Sequence, residues 1–204
     1  FVGNGSDDIL NFAFMAFCGK DSPVAFPDIS YGFYKVYAEL HAIPFTEIPL
    51  NGKLEVCVRD YIGINKNIFI ANPNAPTGLT LSLDDISRIC ESNKKNIVVI
   101  DEAYVDFGAE SSVNLTKKFD NLITGMTYSK ARSMAGARLG FAIANEEIIK
   151  DLEKIKYSTN PYSINRLTNL AGIAALKDNL YYVENCKKII EAREYTKVEP
   201  QKLG

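Results

Sequence analysis

The sequence predicts one α/β domain, a mostly parallel sheet flanked by helices, and three observations point there. Short β-branched runs alternate with amphipathic stretches along the 204 residues. The run Ile97-Val98-Val99-Ile100 has no polar alternation, which suits a strand covered on both faces. The unusual polar residues follow such runs, at the strand ends where open α/β sheets collect functional groups.

In chain order, the Gly3-Asn4-Gly5 turn leads to a helix capped by Ser6. Asp7 and Asp8 lie in its first turn, and Ile9, Phe12, Ala13 and Ala16 fall at helical spacing. Val24 to Phe26 reads as a short strand and Tyr31 to Ala42 as a helix, and Asn51-Gly52 is a hairpin-type turn. Ile68 to Ala71 is a buried strand running into Asn72-Pro73-Asn74-Ala75-Pro76-Thr77-Gly78, where two prolines and a glycine forbid regular structure. Ser82 and Asp85 make a capping-box start for a helix through Cys90. Asp101 terminates the strand at 97–100. Leu122 to Thr124 and Leu139 to Ala144 are further strands, separated by a polar loop holding Ser129, Lys130, Gly136 and Arg138. Helices are expected over Glu146 to Lys156, Ser163 to Lys177 and Tyr181 to about Tyr195, with an interruption at Pro161. The tail from Lys197 to Gly204 reads as an unfinished connection, and a start at Phe1 reads as a truncation.

Composition narrows the function. With 25 acidic and 23 basic residues the net charge is −2, and binding dominated by phosphate contacts needs a concentrated basic face. Nucleic acid is therefore not an expected partner. No apolar run approaches the ~20 residues of a membrane span, so no membrane partner is expected either. Cys18, Cys57, Cys90 and Cys186 form no CxxC pair, which argues against a zinc site or a disulfide framework and for a reducing cytoplasm. His41 is the only histidine, which excludes His-rich metal sites, and no metal is expected. Gly3-x-Gly5 lacks the third glycine and the preceding strand of a dinucleotide fingerprint.

A lysine among small polar residues, an arginine eight positions on, a helix N-terminus and a strand-end aspartate together resemble a pyridoxal-phosphate site. The stretches Gly3-Asn4-Gly5-Ser6-Asp7, Asn72 to Gly78, Asp101-Glu102-Ala103-Tyr104, Ser129-Lys130-Ala131 and Ala135-Gly136-Ala137-Arg138-Leu139-Gly140 resemble the class I/II pyridoxal-phosphate aminotransferases. Within that family the histidinol-phosphate branch is the nearest likeness. The resemblance implies a cofactor-binding large domain over residues 1–178 and, over 179–204, a helix leading toward a small C-terminal domain that lies outside these residues. It implies a pyridoxal 5′-phosphate held as a Schiff base on Lys130, with Asp101 on the pyridine nitrogen and Tyr104 donating to the cofactor O3′. Tyr31 would stack on the ring, Asn74 would face the cofactor, and Arg138, Thr127, Ser129 and the backbone at Ser6 and Asp7 would cup the phosphate. It further implies a homodimer in the full-length protein and small-molecule substrates, a phosphorylated amino alcohol or amino acid and 2-oxoglutarate. Left open are an aromatic or other amino-acid aminotransferase, a phosphothreonine decarboxylase, and a cofactor-binding fragment without turnover. One departure stands out: many members carry a second asparagine where this chain has Ala75.

Overall fold

In a computed structural model, residues 1–199 are described, and seven strands form one sheet in the order β1-β7-β6-β5-β4-β2-β3. They are β1 (Val2–Gly3), β2 (Val24–Pro27), β3 (Phe45–Ile48), β4 (Asn67–Ala71), β5 (Val98–Asp101), β6 (Leu122–Thr127) and β7 (Gly140–Ala144). The pairs β2–β3, β2–β4, β4–β5 and β5–β6 are parallel, whereas β7 runs antiparallel to both β6 and β1. The expected mostly parallel sheet is the one observed. The helices are α1 (Ser6–Phe17), α2 (Phe33–Leu40), α3 (Leu83–Ser92), α4 (Glu146–Thr159), α5 (Arg166–Lys177) and α6 (Asn179–Val198).

The central strands carry unbroken apolar runs, Ile68 to Ala71 and Val98 to Ile100, because both of their faces are covered. Successive side chains point to opposite faces, so Phe69, Val99 and Ile123 join α1, α2 and α4 in one core, while Ile68, Ile70, Val98 and Ile100 join α3 in the other. Parallel register then brings the carboxyl ends of β4, β5 and β6 to one edge, with Ala71 opposite Asp101 and Asp101 opposite Gly125. Since β7 is antiparallel, its first residue, Gly140, lies opposite Thr127 at that same edge.

Several local expectations are corrected. Ser6 is the first helical residue, not the cap; Gly5 takes the cap position at φ 82, a left-handed conformation that favours glycine, and supplies no capping side chain. α2 begins at Phe33, which leaves Tyr31 in the preceding loop. Asn51-Gly52 closes no hairpin: β3, unannounced in the sequence, is parallel to β2, and the Asn51 side chain instead accepts from the N–H groups of Lys53 and Glu55 in a local turn. α5 begins at Arg166, behind an Asn165 cap that accepts from Thr168 N. α6 covers most of the 179–204 segment, and residues 200–204 of the expected tail lie outside the described residues.

The tightest backbone contact fixes the start of α1 against β7. A Cβ built on Gly140 would lie 2.5 Å from Ser6 N and 2.7 Å from Gly5 O, closer than real Cβ atoms come. Gly140→Ala is expected to displace the α1 N-terminus and lower stability by about 2 kcal/mol. Urea denaturation checks this; an unchanged midpoint would show that the contact relaxes freely.

Candidate active site

A cleft of about 120 Å³ opens at the carboxyl edge. Ser6, Asp7, Tyr31, Asp101, Tyr104, Thr127, Ser129, Lys130 and Arg138 all line it, drawn from α1, the β2–α2 loop, the end of β5 and the loop after it, and the end of β6 with the β6–β7 loop. The structure thus brings together every residue named from the sequence except Asn74. The Asn74 amide nitrogen is spent on Ile29 O (2.9 Å) and Thr77 Oγ1 (3.2 Å), and the residue lines a neighbouring cavity instead. Ala75, where many family members have asparagine, does face the cleft.

Asp101 forms the floor. It is 5% exposed, and its carboxylate accepts from Tyr34 Oη (3.1 Å) and Ala103 N (3.2 Å). Among the described residues it pairs with no cation. Burial pushes its pKa up to about 6, although both hydrogen bonds favour the charged form. Glu102, next in the chain and 1% exposed, turns away from the cleft and accepts from Ser111 Oγ (2.6 Å), Ser112 N (2.5 Å) and Ser112 Oγ (2.7 Å). It thereby ties both ends of the loop carrying Tyr104. Burial raises the Glu102 pKa as well.

At one wall the α1 N-terminus presents first-turn N–H groups with no capping side chain, a ready site for an anion. Arg138 stands beside them at φ 53, its guanidinium 2.7 Å from Asp7 Oδ2. Tyr31 donates to the other Asp7 oxygen at 2.6 Å and lies parallel to Phe33 at 5.7 Å. Burial and the Asp7 charge raise the Tyr31 pKa, which keeps its phenol a donor. Opposite, Lys130 Nζ lies 5.1 Å from the centre of the Tyr104 ring, and no hydrogen bond to that amine is found among the described residues. Ser129 N donates to Thr127 Oγ1 at 3.1 Å, which fixes the loop that carries the lysine.

The chain belongs to the class I and II aminotransferases. That family's model matches residues 1–203. The chain is 52% identical over 205 residues to a histidinol-phosphate aminotransferase of Brachyspira hyodysenteriae, spanning 100% of this chain and 58% of that protein. Among solved structures it is similar to the histidinol-phosphate aminotransferase of Clostridium acetobutylicum, with a TM-score of 0.89 at 26% identity, over 100% of this chain and 62% of that one. The Sinorhizobium meliloti enzyme of that name, solved in complex with pyridoxal 5′-phosphate, shares the fold with a TM-score of 0.84 at 23% identity, over 95% of this chain and 54% of that one. The chain therefore spans little more than half the length of the curated relatives it matches.

The donors in the cleft fit the family's cofactor. A buried carboxylate without a cation suits a heterocyclic N–H⁺, an uncapped helix start beside an arginine suits a phosphate, and an unpaired amine suits an aldehyde. Sequence reasoning missed Tyr34, Tyr37 and Glu102, although the i, i+3 spacing of Tyr31, Tyr34 and Tyr37 was a legible signal that three phenols share one side of the segment.

A titration tests the Asp101 environment. Because its folded pKa lies above the ordinary carboxylate value, the folded state binds the extra proton, and stability falls as pH rises from about 4 to about 6. A shift of about two units corresponds to at most about 3 kcal/mol. Asp101→Asn is expected to remove that loss, so that the variant gains on the wild type across this window in the absence of cofactor. Parallel stability curves would contradict the assignment.

Proposed function

We propose that this chain is the cofactor-binding part of a pyridoxal-phosphate-dependent transaminase that moves an amino group from histidinol phosphate to 2-oxoglutarate. The observation that carries the reading is the pairing, in one cleft, of a cation-less buried carboxylate at Asp101 with an unpaired amine at Lys130. The names of relatives at about 50% identity supply the choice of donor.

Pyridoxal 5′-phosphate supplies an aldehyde that takes up amines and an electron-poor ring that accepts the electron pair left when a proton leaves the carbon bearing the amine. Asp101 would keep the ring nitrogen protonated, its own charge balanced there rather than by any side chain. Arg138, the first-turn N–H groups of α1 and the hydroxyls of Thr127 and Ser129 would hold the phosphate. Tyr31 would lie against the ring, and Tyr104 would donate to its phenolic oxygen. Lys130 Nζ would hold the cofactor covalently and, once displaced by the substrate amine, would take and return the proton of the amine-bearing carbon. Asn74, turned toward Ile29 and Thr77, would act on the cofactor only through the loop it braces. Residues 1–178 would form the large domain, with α6 leading out of it. The four free cysteines suit a cytoplasmic enzyme. The apolar residues left exposed on α5 and α6, such as Leu167 and Leu180 at 79%, suit cover by the rest of a full-length homodimer.

Two outcomes are expected. With the full-length protein, histidinol phosphate should be the preferred donor over aromatic amino acids, and Lys130→Ala should abolish turnover; preference for an aromatic donor, or decarboxylation of phosphothreonine, would replace the substrate assignment. Arg138→Ala should weaken pyridoxal phosphate about 10- to 100-fold, the loss expected for a charged hydrogen bond. It should leave pyridoxal, which lacks the phosphate, nearly unaffected; equal losses for both would remove Arg138 from the phosphate cup.

A further inference from the structure

Tyr31, Tyr34 and Tyr37 recur every third residue, and α2 with its preceding loop turns all three hydroxyls toward the two carboxylate-bearing elements of the cleft. Tyr31 and Tyr37 go to Asp7, on its carboxylate and its backbone oxygen. Tyr34 alone goes to Asp101, donating to Oδ2 at 3.1 Å. Its ring is fully buried and wedged between Phe26 and Phe69, with centroids 5.9 and 6.0 Å away, so the hydroxyl has little freedom to point elsewhere. The second carboxylate oxygen is held by Ala103 N at 3.2 Å. One donor comes from the strand's own exit turn; the other comes from a helix on a separate element.

We propose that Tyr34 is a positioning residue that fixes the plane of the Asp101 carboxyl and keeps it ionised toward the ring nitrogen of the cofactor. The inference rests on the functional reading above for the identity of that partner, but not for the contact itself. The other charged and titratable groups whose charge acts on Asp101 are Asp7 of α1, Glu102 just past the end of β5, and Tyr31 and Tyr37 beside Tyr34. Lys130 and Arg138 line the same cleft from the β6–β7 loop. The two carboxylates oppose ionisation of Asp101, and burial opposes it more strongly. Without the Tyr34 hydroxyl, Oδ2 would be a buried anionic oxygen with no donor.

The experiment is a pH titration by NMR of the cofactor-free full-length protein labelled with 13C at aspartate carboxyls, the Asp101 signal being assigned by its absence in Asp101→Asn. Tyr34→Phe should raise the Asp101 midpoint by about one unit, the shift expected for a lost hydrogen bond to the charged form. Pyridoxal phosphate should then dissociate about tenfold more readily from Tyr34→Phe, with no further loss when the substitution is added to Asp101→Asn. In the wild type, the buried Tyr34 hydroxyl proton should shift with the same midpoint as the carboxyl, which tests the contact even if the variant folds poorly. An unmoved midpoint in folded Tyr34→Phe, or a hydroxyl proton blind to the Asp101 titration, overturns the proposal. If the wild type takes up no pyridoxal phosphate, the functional reading fails, while the titration still decides the role of Tyr34.

Discussion

A carboxylate held out of water without a cation is expensive, and the placement of Asp101 is the constraint around which the site is arranged. Its position follows from the sheet. Val98 and Ile100 face one core and Val99 the other, so the strand is dry on both sides until it ends, and the side chain at position 101 emerges into the cleft. Burial then opposes its charge, and only the Tyr34 hydroxyl and Ala103 N support it. A fold that tolerates such a group is poised to bind a cation there, because a ligand that neutralises the carboxylate recovers the free energy spent in burying it.

The remaining functional groups are placed by long-range contacts around that floor. Arg138 and Asp7 are 131 positions apart in sequence and 2.7 Å apart in space. They meet because β7, antiparallel to β6, begins at the carboxyl edge, which keeps the connecting loop with Arg138 there, and because Gly140 lets the backbone at Gly5 and Ser6 come close. The helix start that would receive a phosphate and the arginine that would share it are therefore set by one close approach. Lys130 reaches the same cleft from the loop that β6 and β7 enclose, and Glu102, bound to Ser111 and Ser112, closes the loop that carries Tyr104. The site is assembled from nearly the whole chain, which is why a fold shared with known aminotransferases is informative here.

Much of this was legible in the sequence, and the parts that were not have physical reasons. The central strands announced themselves because burial on both faces leaves an unbroken apolar run, and the cap at Ser82 because its side chain bonds Asp85 N. β3 was hidden: Phe45-Thr46-Glu47-Ile48 is a short edge strand, partly exposed, whose pattern a loop would match equally well. Asn51-Gly52 carries a hairpin's residues, yet a parallel neighbour cannot use a two-residue turn. The conformation of Gly5 was unreadable because it depends on β7 lying against it. Among site residues, motif position placed all but Asn74 in the cleft; that loop, entered through a cis Asn72–Pro73 bond, turns the Asn74 side chain toward Ile29 and Thr77. Tyr34 escaped notice because its partner, Asp101, lies 67 residues on and is brought to it only by the fold.

The whole arrangement, on the reading proposed above, serves to hold pyridoxal 5′-phosphate through Lys130 in the cleft between the α1 N-terminus and the ends of β5 and β6. Borohydride reduction of the protein mixed with the cofactor, followed by peptide mass mapping, tests it most directly. Stoichiometric label is expected on the peptide containing Lys130, and that label should vanish in Lys130→Ala. Label spread over other lysines, or retained in that variant, would contradict it.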